Sequence, residues 1–205
     1  MIELRNISKS FESVEIFTDF SLDINENEFI TIVGNSGSGK STLLNIVGML
    51  DTPDSGTVKF LDKINPKGKN LMKIRRYHFG YIFQNYVLMN DKTVKDNLLI
   101  STKYSSFKKD SDLISVLEKV QLSNKYLDKK VYQLSGGEQQ RLAIARILLK
   151  PCTIIFADEP TGNLDDYNKG IILSIFKNLK ENGKTIVCVT HDSDIAKQSD
   201  RTISL

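Results

Sequence analysis

Several features that often declare a protein's class are scarce or missing in this sequence. Its 205 residues include only two cysteines, Cys152 and Cys188, each beside or within an apolar run and neither at a metal-ligand spacing. Reduced, buried thiols are therefore expected rather than a disulfide framework or a zinc site. No apolar run approaches the ~20 residues that a membrane-spanning helix needs, since a stretch such as Ile154-Ile155-Phe156-Ala157 stops within one strand length. The opening Met-Ile-Glu-Leu-Arg lacks the basic, apolar and small-residue order of a secretion signal, so a cytoplasmic location is expected. The positive excess is only +3, from 28 basic and 25 acidic residues, too little to mark a nucleic-acid footprint. No internal repeat or low-complexity linker is present. With 40% hydrophobic residues, one globular domain able to bury a core is what remains.

Short apolar runs alternate with segments of helical period, which predicts an α/β fold built on a mostly parallel sheet. Ile2 and Leu4, then Leu22 and Ile24, alternate as half-buried strands do and predict a separate antiparallel β subdomain. The continuous run Phe29-Ile30-Thr31-Ile32-Val33 reads as a strand buried on both faces. Further buried strands are expected at 80–83, 153–157, 185–190 and 202–205. Between about residues 86 and 134 the strand pattern disappears, and Leu113, Ile114, Leu117 and Val120 share one helical face. The expected organisation is thus a catalytic core of residues 1–85 and 135–205 with a helical subdomain inserted at about 86–134. Ile171, Ile172, Ile175, Phe176 and Leu179 mark another amphipathic helix, ended near Asn182-Gly183.

Directly after the first buried strand stands Gly34-Asn35-Ser36-Gly37-Ser38-Gly39-Lys40-Ser41-Thr42, the spacing G-x-x-x-x-G-K-S/T that opens a helix. Its glycines let the backbone curl so that successive N–H groups face an anion, and the helix that follows adds its positive end. Lys40 is placed to bridge the β- and γ-phosphates of a nucleotide, and the Ser41 hydroxyl to hold Mg²⁺. The competing view is a plain Gly/Ser-rich turn, but the full pattern arises by chance in only about one chain in a hundred of this length.

A second site signal is weaker. Thr153-Ile154-Ile155-Phe156-Ala157-Asp158-Glu159 puts two carboxylates at the C-terminal end of an apolar strand, the edge where α/β sheets bind ligands. Asp158 suits a metal, reached through water, and Glu159 suits a general base for an attacking water. Alone, this pattern is equally a strand-to-turn junction.

Leu134-Ser135-Gly136-Gly137-Glu138-Gln139-Gln140-Arg141 precedes a helical run. Ser135 and Glu138 form a capping-box pattern, while the paired glycines weaken a helix start and make sense if a phosphate approaches the exposed N–H groups. Here the sequence resembles the ATP-binding-cassette family, whose signature is Leu-Ser-Gly-Gly-Gln/Glu and whose motifs run in this order along the whole chain. The resemblance implies ATP and Mg²⁺ as ligands and a head-to-tail dimer. In it, Ser135, Gly136, Gly137 and Glu138 of one copy would close over the nucleotide on the other. It implies further that Gln84 stands in the glutamine loop touching Mg²⁺ or water, and that His191 is the switch histidine orienting Glu159. Asn163-Leu164-Asp165 resembles the loop crossing the dimer interface, with Asp165 also able to cap the next helix. Phe11 matches the aromatic that stacks on adenine, a core phenylalanine being the other reading.

The run 157–165, with Leu50-Asp51-Thr52-Pro53 and Phe83-Gln84-Asn85, is similar to the branch holding macrolide exporters, lipoprotein-release ATPases, the cell-division ATPase and peptide-resistance transporters. That resemblance implies an ATP hydrolase at the inner face of the membrane, driving a separate permease subunit that exports peptides or hydrophobic compounds. Residues 86–103 would form the groove for the permease, although Val87, Leu88 and Met89 are equally readable as core. A lipoprotein-release or mechanotransmission role is the alternative. A DNA- or ribosome-associated cassette would carry coiled coils, zinc modules or a second cassette, and no nucleic acid is expected. In a P-loop kinase or GTPase the signature segment would have no job.

Overall fold

The computed structural model describes residues 1–107, 109–162 and 164–205. Among them lie nine strands: β1 (Ile2–Phe11), β2 (Val14–Ile24), β3 (Phe29–Val33), β4 (Ser55–Phe60), β5 (Lys63–Ile64), β6 (Phe79–Ile82), β7 (Ile154–Asp158), β8 (Thr185–Val189) and β9 (Arg201–Ser204). The helices are α1 (Lys40–Val47), α2 (Gly68–Tyr77), α3 (Val94–Thr102), α4 (Asp110–Lys119), α5 (Gly136–Leu148), α6 (Asp166–Glu181) and α7 (Ser193–Gln198).

Two sheets form, as expected. The antiparallel one runs β2-β1-β4-β5, with Ile2 opposite Ile24 and Leu4 opposite Leu22. The other runs β6-β7-β8-β3-β9, and each of its neighbouring pairs is parallel. Because successive side chains leave a strand on opposite faces, each central strand feeds two cores. Ile30, Ile32, Phe156, Val187 and Val189 pack toward α1 and the antiparallel sheet. Phe29, Ile155, Ala157, Ile186 and Cys188 pack toward α3, α4, α5 and α6. This two-sided burial is why β3, β7 and β8 are nearly all apolar.

The strand expected to be buried at 202–205 is instead an exposed edge, with Arg201, Thr202 and Ser204 exposed and Ile203 and Leu205 half-buried. Among the described residues it pairs with β3 alone, at the end of the sheet, so alternation with polar residues suffices. Residues 94–102 and 110–119 are helical, and Leu113, Leu117 and Val120 are buried, whereas Ile114 is only half-buried and Val116 takes the inward position. All five apolar residues expected on one face of α6 are buried, and the chain leaves that helix through Gly183 at φ 78°. Both cysteines are free and buried, and burial pushes both thiols up.

Candidate functional site

In a parallel sheet every strand delivers its following loop to the same edge. Here β3 leads into loop 34–39, β6 into Gln84, β7 into Asp158-Glu159 and β8 into His191. The result is an open cleft of about 560 Å³, lined among others by Gly37, Gly39, Lys40, Ser41, Thr42, Gln84, Asp158, Glu159 and His191. Residues chosen from four distant stretches therefore meet in one place.

The loop's shape depends on missing side chains. Gly39 lies at φ 92°, and a β-carbon there would stand 2.4 Å from Ile16 Cγ2 and 2.9 Å from Phe17 Cζ. Only glycine lets the backbone pass this close to β2 on its way into α1. That helix has no side-chain cap and no acidic residue in its first turn, so its first N–H groups and its dipole remain available to an anion. Lys40 is nearly buried, and its Nζ donates to the carbonyls of Gly34 (3.0 Å) and Asn35 (2.7 Å). Ser38 Oγ is buried without a hydrogen-bond partner.

Across the cleft, Ser41 Oγ donates to Asp158 Oδ1 at 3.2 Å. Burial raises the Asp158 carboxyl, while the Ser41 hydroxyl and the Lys40 charge pull it down. Glu159 leaves the strand in the left-handed region at φ 45°, which costs about 1–2 kcal/mol for a residue with a side chain. Its N–H donates to Val189 O at 2.9 Å, and its Oε2 accepts from the His191 N–H at 3.2 Å. The second oxygen, Oε1, is buried and takes no hydrogen bond, although His191 Nε2 lies 3.3 Å away. The strained turn thus aims a carboxylate with one open lone-pair set into the cleft.

This donor set fits a small divalent cation. A hydroxyl and a carboxylate converge within hydrogen-bond distance, a buried acid gains from a cation beside it, and Gln84 adds an amide oxygen. Among the described residues no group of three or more His, Cys, Asp or Glu could form a metal cage.

The remaining sequence candidates lie outside the cleft. Phe11, at the tip of β1, is 49% exposed, which removes the core reading. The capping box at Ser135 is present: Glu138 N–H donates to Ser135 Oγ (3.3 Å) and Ser135 N–H to Glu138 Oε2 (2.8 Å). Burial raises the Glu138 carboxyl, but hydrogen bonds from Ser135 and Tyr126 and the charge of Arg141 outweigh it and hold it low. Asp165 caps α6 by accepting from Asn168 N–H at 2.8 Å. Asn163 lies outside the described residues.

Three contacts were not legible in the sequence. Ile16 forms an apolar wall of the cleft. Asn168 joins the loop before α6 to the signature helix, its amide donating to Asp165 and its Oδ1 accepting from Arg141. Tyr86 and Val87, just after Gln84, lie at φ 61° and 50°; the Val87 carbonyl accepts from Arg146 Nη1 at 2.5 Å. The Gln84 loop is thereby tied to α5.

A parallel sheet whose strand ends carry a glycine-rich loop, a lysine opening a helix and an acidic pair defines a P-loop nucleotide-binding cassette. Residues 17–162 match the model of the ABC transporter family. Over its whole length the chain is 42% identical to the macrolide export ATP-binding/permease protein MacB of Chlorobaculum tepidum and 42% identical to that of Campylobacter jejuni, covering 33% of each. It spans about a third of the length of these relatives. It also superposes on the dimeric structure of MJ0796, a bacterial ABC transporter cassette, with TM-score 0.91, 38% identity and coverage of 100% of this chain and 94% of that one. A post-hydrolysis dimer of the same cassette bound to ADP and Pi gives 0.89 at 37% identity, with the same coverage. The chain belongs to the ABC transporter family and carries its ATP-binding cassette.

Proposed function

We propose that two copies of this chain bind ATP between them, hydrolyse it, and so drive a membrane permease at the cytoplasmic face. The observation carrying this reading is the division of the phosphate-binding groups. Lys40, Ser41, Asp158, Glu159, Gln84 and His191 share one cleft, whereas the glycine-lined mouth of α5 lies outside it. A second copy, turned head to tail, brings its own Ser135, Gly136, Gly137 and Glu138 to the open side. The dimeric state of the similar cassette supports this arrangement.

In the proposed reaction the N–H groups of loop 34–39 and α1 hold the β- and γ-phosphates, and Lys40 spreads their charge. Ser41, Asp158 and Gln84 would hold Mg²⁺, which neutralises charge developing on the phosphate oxygens. Glu159 orients a water through Oε1 and takes its proton as the oxygen attacks the γ-phosphorus and the bond to ADP breaks. His191 fixes the Glu159 carboxylate by donating its backbone N–H to Oε2, and its ring Nε2 faces the other oxygen, Oε1. Phe11 would stack on adenine and Asp165 would face the partner copy. Residues 86–134 would act as the helical subdomain that receives the permease; Val87 and Met89 are exposed there while Leu88 packs partly on the core. The resemblance to macrolide export proteins supports export of hydrophobic compounds or peptides.

The deciding experiment is Glu159→Gln, which keeps size and removes the base. ATP should accumulate this variant as a dimer in size-exclusion chromatography with light scattering, while turnover falls by about a hundredfold or more. Rapid turnover would remove Glu159 from the role of base. A strictly monomeric ATP-loaded variant, even with its permease present, would defeat the shared-site reading.

A further inference from the structure

The run Leu50-Asp51-Thr52-Pro53 marks one branch of the family in sequence, yet none of its residues lines the cleft. It lies instead against the end of β1. Lys9 is only 8% exposed, and its Nζ donates to Thr52 O at 2.9 Å while standing 3.1 Å from Asp51 Oδ2 and 3.7 Å from Asp54 Oδ1. Asp54 grips the same strand through its backbone and side chain: its N–H donates to Ser8 O at 2.9 Å, and its Oδ2 accepts from Ser10 N–H at 2.7 Å. The Lys9 ammonium also sits 5.2 Å from the centroid of the Phe11 ring.

Packing alone does not call for a lysine here, because burying an ammonium is costly unless it is paired, and an apolar side chain would fill the space. The cation has two further effects. Attracted to the negative face of the ring, it holds Phe11 in place and leaves the opposite face less negative, a better surface for an electron-rich purine. Its partners, moreover, sit on the loop that follows α1, and that loop is anchored by Leu50 and Asp51 N–H groups donating to Asn45 O. The Phe11 ring is thereby tied to the helix that begins at Lys40.

The geometry points to Lys9, clamped by Asp51 and Asp54, as a positioning residue for adenine: it fixes the Phe11 ring at a set place relative to the triphosphate-binding helix. This inference rests on the reading of Phe11 as the adenine-stacking residue. Lys9 does not line the cleft that gathers the phosphate-binding groups, so its effect is confined to ligands that carry a base.

Titration calorimetry of the full chain with ATP and with inorganic tripolyphosphate tests this. Lys9→Met should weaken ATP binding about three- to tenfold and leave tripolyphosphate binding unchanged, while Lys9→Arg, which keeps a cation over the ring, should restore ATP affinity. In a Phe11→Leu background Lys9→Met should have no further effect on ATP. Asp51→Asn, on the half-exposed side of the clamp, runs the same comparison without leaving a buried hole. Unchanged ATP affinity in both variants, parallel losses of ATP and tripolyphosphate in both, or an equal loss in the Phe11→Leu background would overturn the role of Lys9. Phe11→Leu alone separates the two readings: if it leaves the ratio of ATP to tripolyphosphate affinity unchanged, the adenine platform itself is wrong.

Discussion

Gly137 and Asn168 share a space that admits only one side chain: a β-carbon on Gly137 would lie 2.4 Å from both Cγ and Oδ1 of Asn168. The second signature glycine is thus required by contacts within its own subunit, whatever approaches it from outside. Gly137→Ala should cost about 1–3 kcal/mol in urea unfolding, the range for overpacking. Asn168→Ala removes the obstacle along with its hydrogen bonds to Asp165 and Arg141. The double variant should therefore be more stable than the two single losses add up to, by at least ~1 kcal/mol. Simple additivity would show that the clash is relieved some other way.

Gly39 makes a comparable demand on the phosphate loop. An alanine there must adopt φ 92° and displace Ile16 and Phe17 of β2, so Gly39→Ala should lower stability by about 1–3 kcal/mol. Truncating Ile16 to alanine in that background removes the nearer clash but not the backbone strain. Only part of the loss should return, and tripolyphosphate affinity measured by calorimetry should stay below that of the unaltered chain.

The parts of this molecule that sequence made legible are those with one local cause. Runs such as Phe29–Val33 are apolar because both faces are covered, Ser135 and Glu138 cap a helix three residues apart, and Gly183 turns a helix off. What stayed hidden has causes spread along the chain. In β1 and β2 the pairing shifts register between Leu4 and Ile7, again by Lys9 and again by Ser10, so the period-two pattern that identified Ile2, Leu4, Leu22 and Ile24 breaks down beyond them. Helix α2 buries only Ile74 and carries a largely basic surface, leaving too narrow an apolar stripe to notice. In the site, Asp158 and Glu159 were readable as types, but the φ of 45° that turns Glu159 toward His191 is set by the Val189 carbonyl on another strand. Lys9 with Asp51, and Arg141 with Asn168, are pairs that only the fold brings together.

The Ser41 hydroxyl, 3.2 Å from Asp158, gives a test of the cation site that does not depend on turnover. Ser41→Ala keeps the loop's backbone N–H groups, so ATP affinity in EDTA should change little. The gain in ATP affinity on adding Mg²⁺ should fall at least about tenfold, as expected when a ligand set is incomplete. Calorimetric titrations with and without the metal measure both quantities. An unchanged Mg²⁺ gain would take the hydroxyl out of the ligand set.

Asp192 follows His191 and holds three elements at once. Its side chain accepts from Asp194 N–H at 2.9 Å, caps α7, accepts from Thr161 Oγ1 at 3.2 Å and lies 3.6 Å from Lys169 Nζ. Burial raises its carboxyl, but the Asp194 N–H, the Lys169 charge and the Thr161 hydroxyl outweigh that and hold it below the usual range. A carboxyl depressed by folding stabilises the native state above its unfolded pKa of about 3.9, and this contribution is lost as pH falls through the lower folded value. Asp192→Asn keeps an acceptor for the cap and discards the charge. Urea unfolding should therefore find the variant less stable than the unaltered chain at pH 7, by up to about 1 kcal/mol, and the gap should close as pH is taken below ~4 toward ~3. A gap that stays constant over that range would mean the ionised carboxylate contributes nothing beyond its hydrogen-bond geometry.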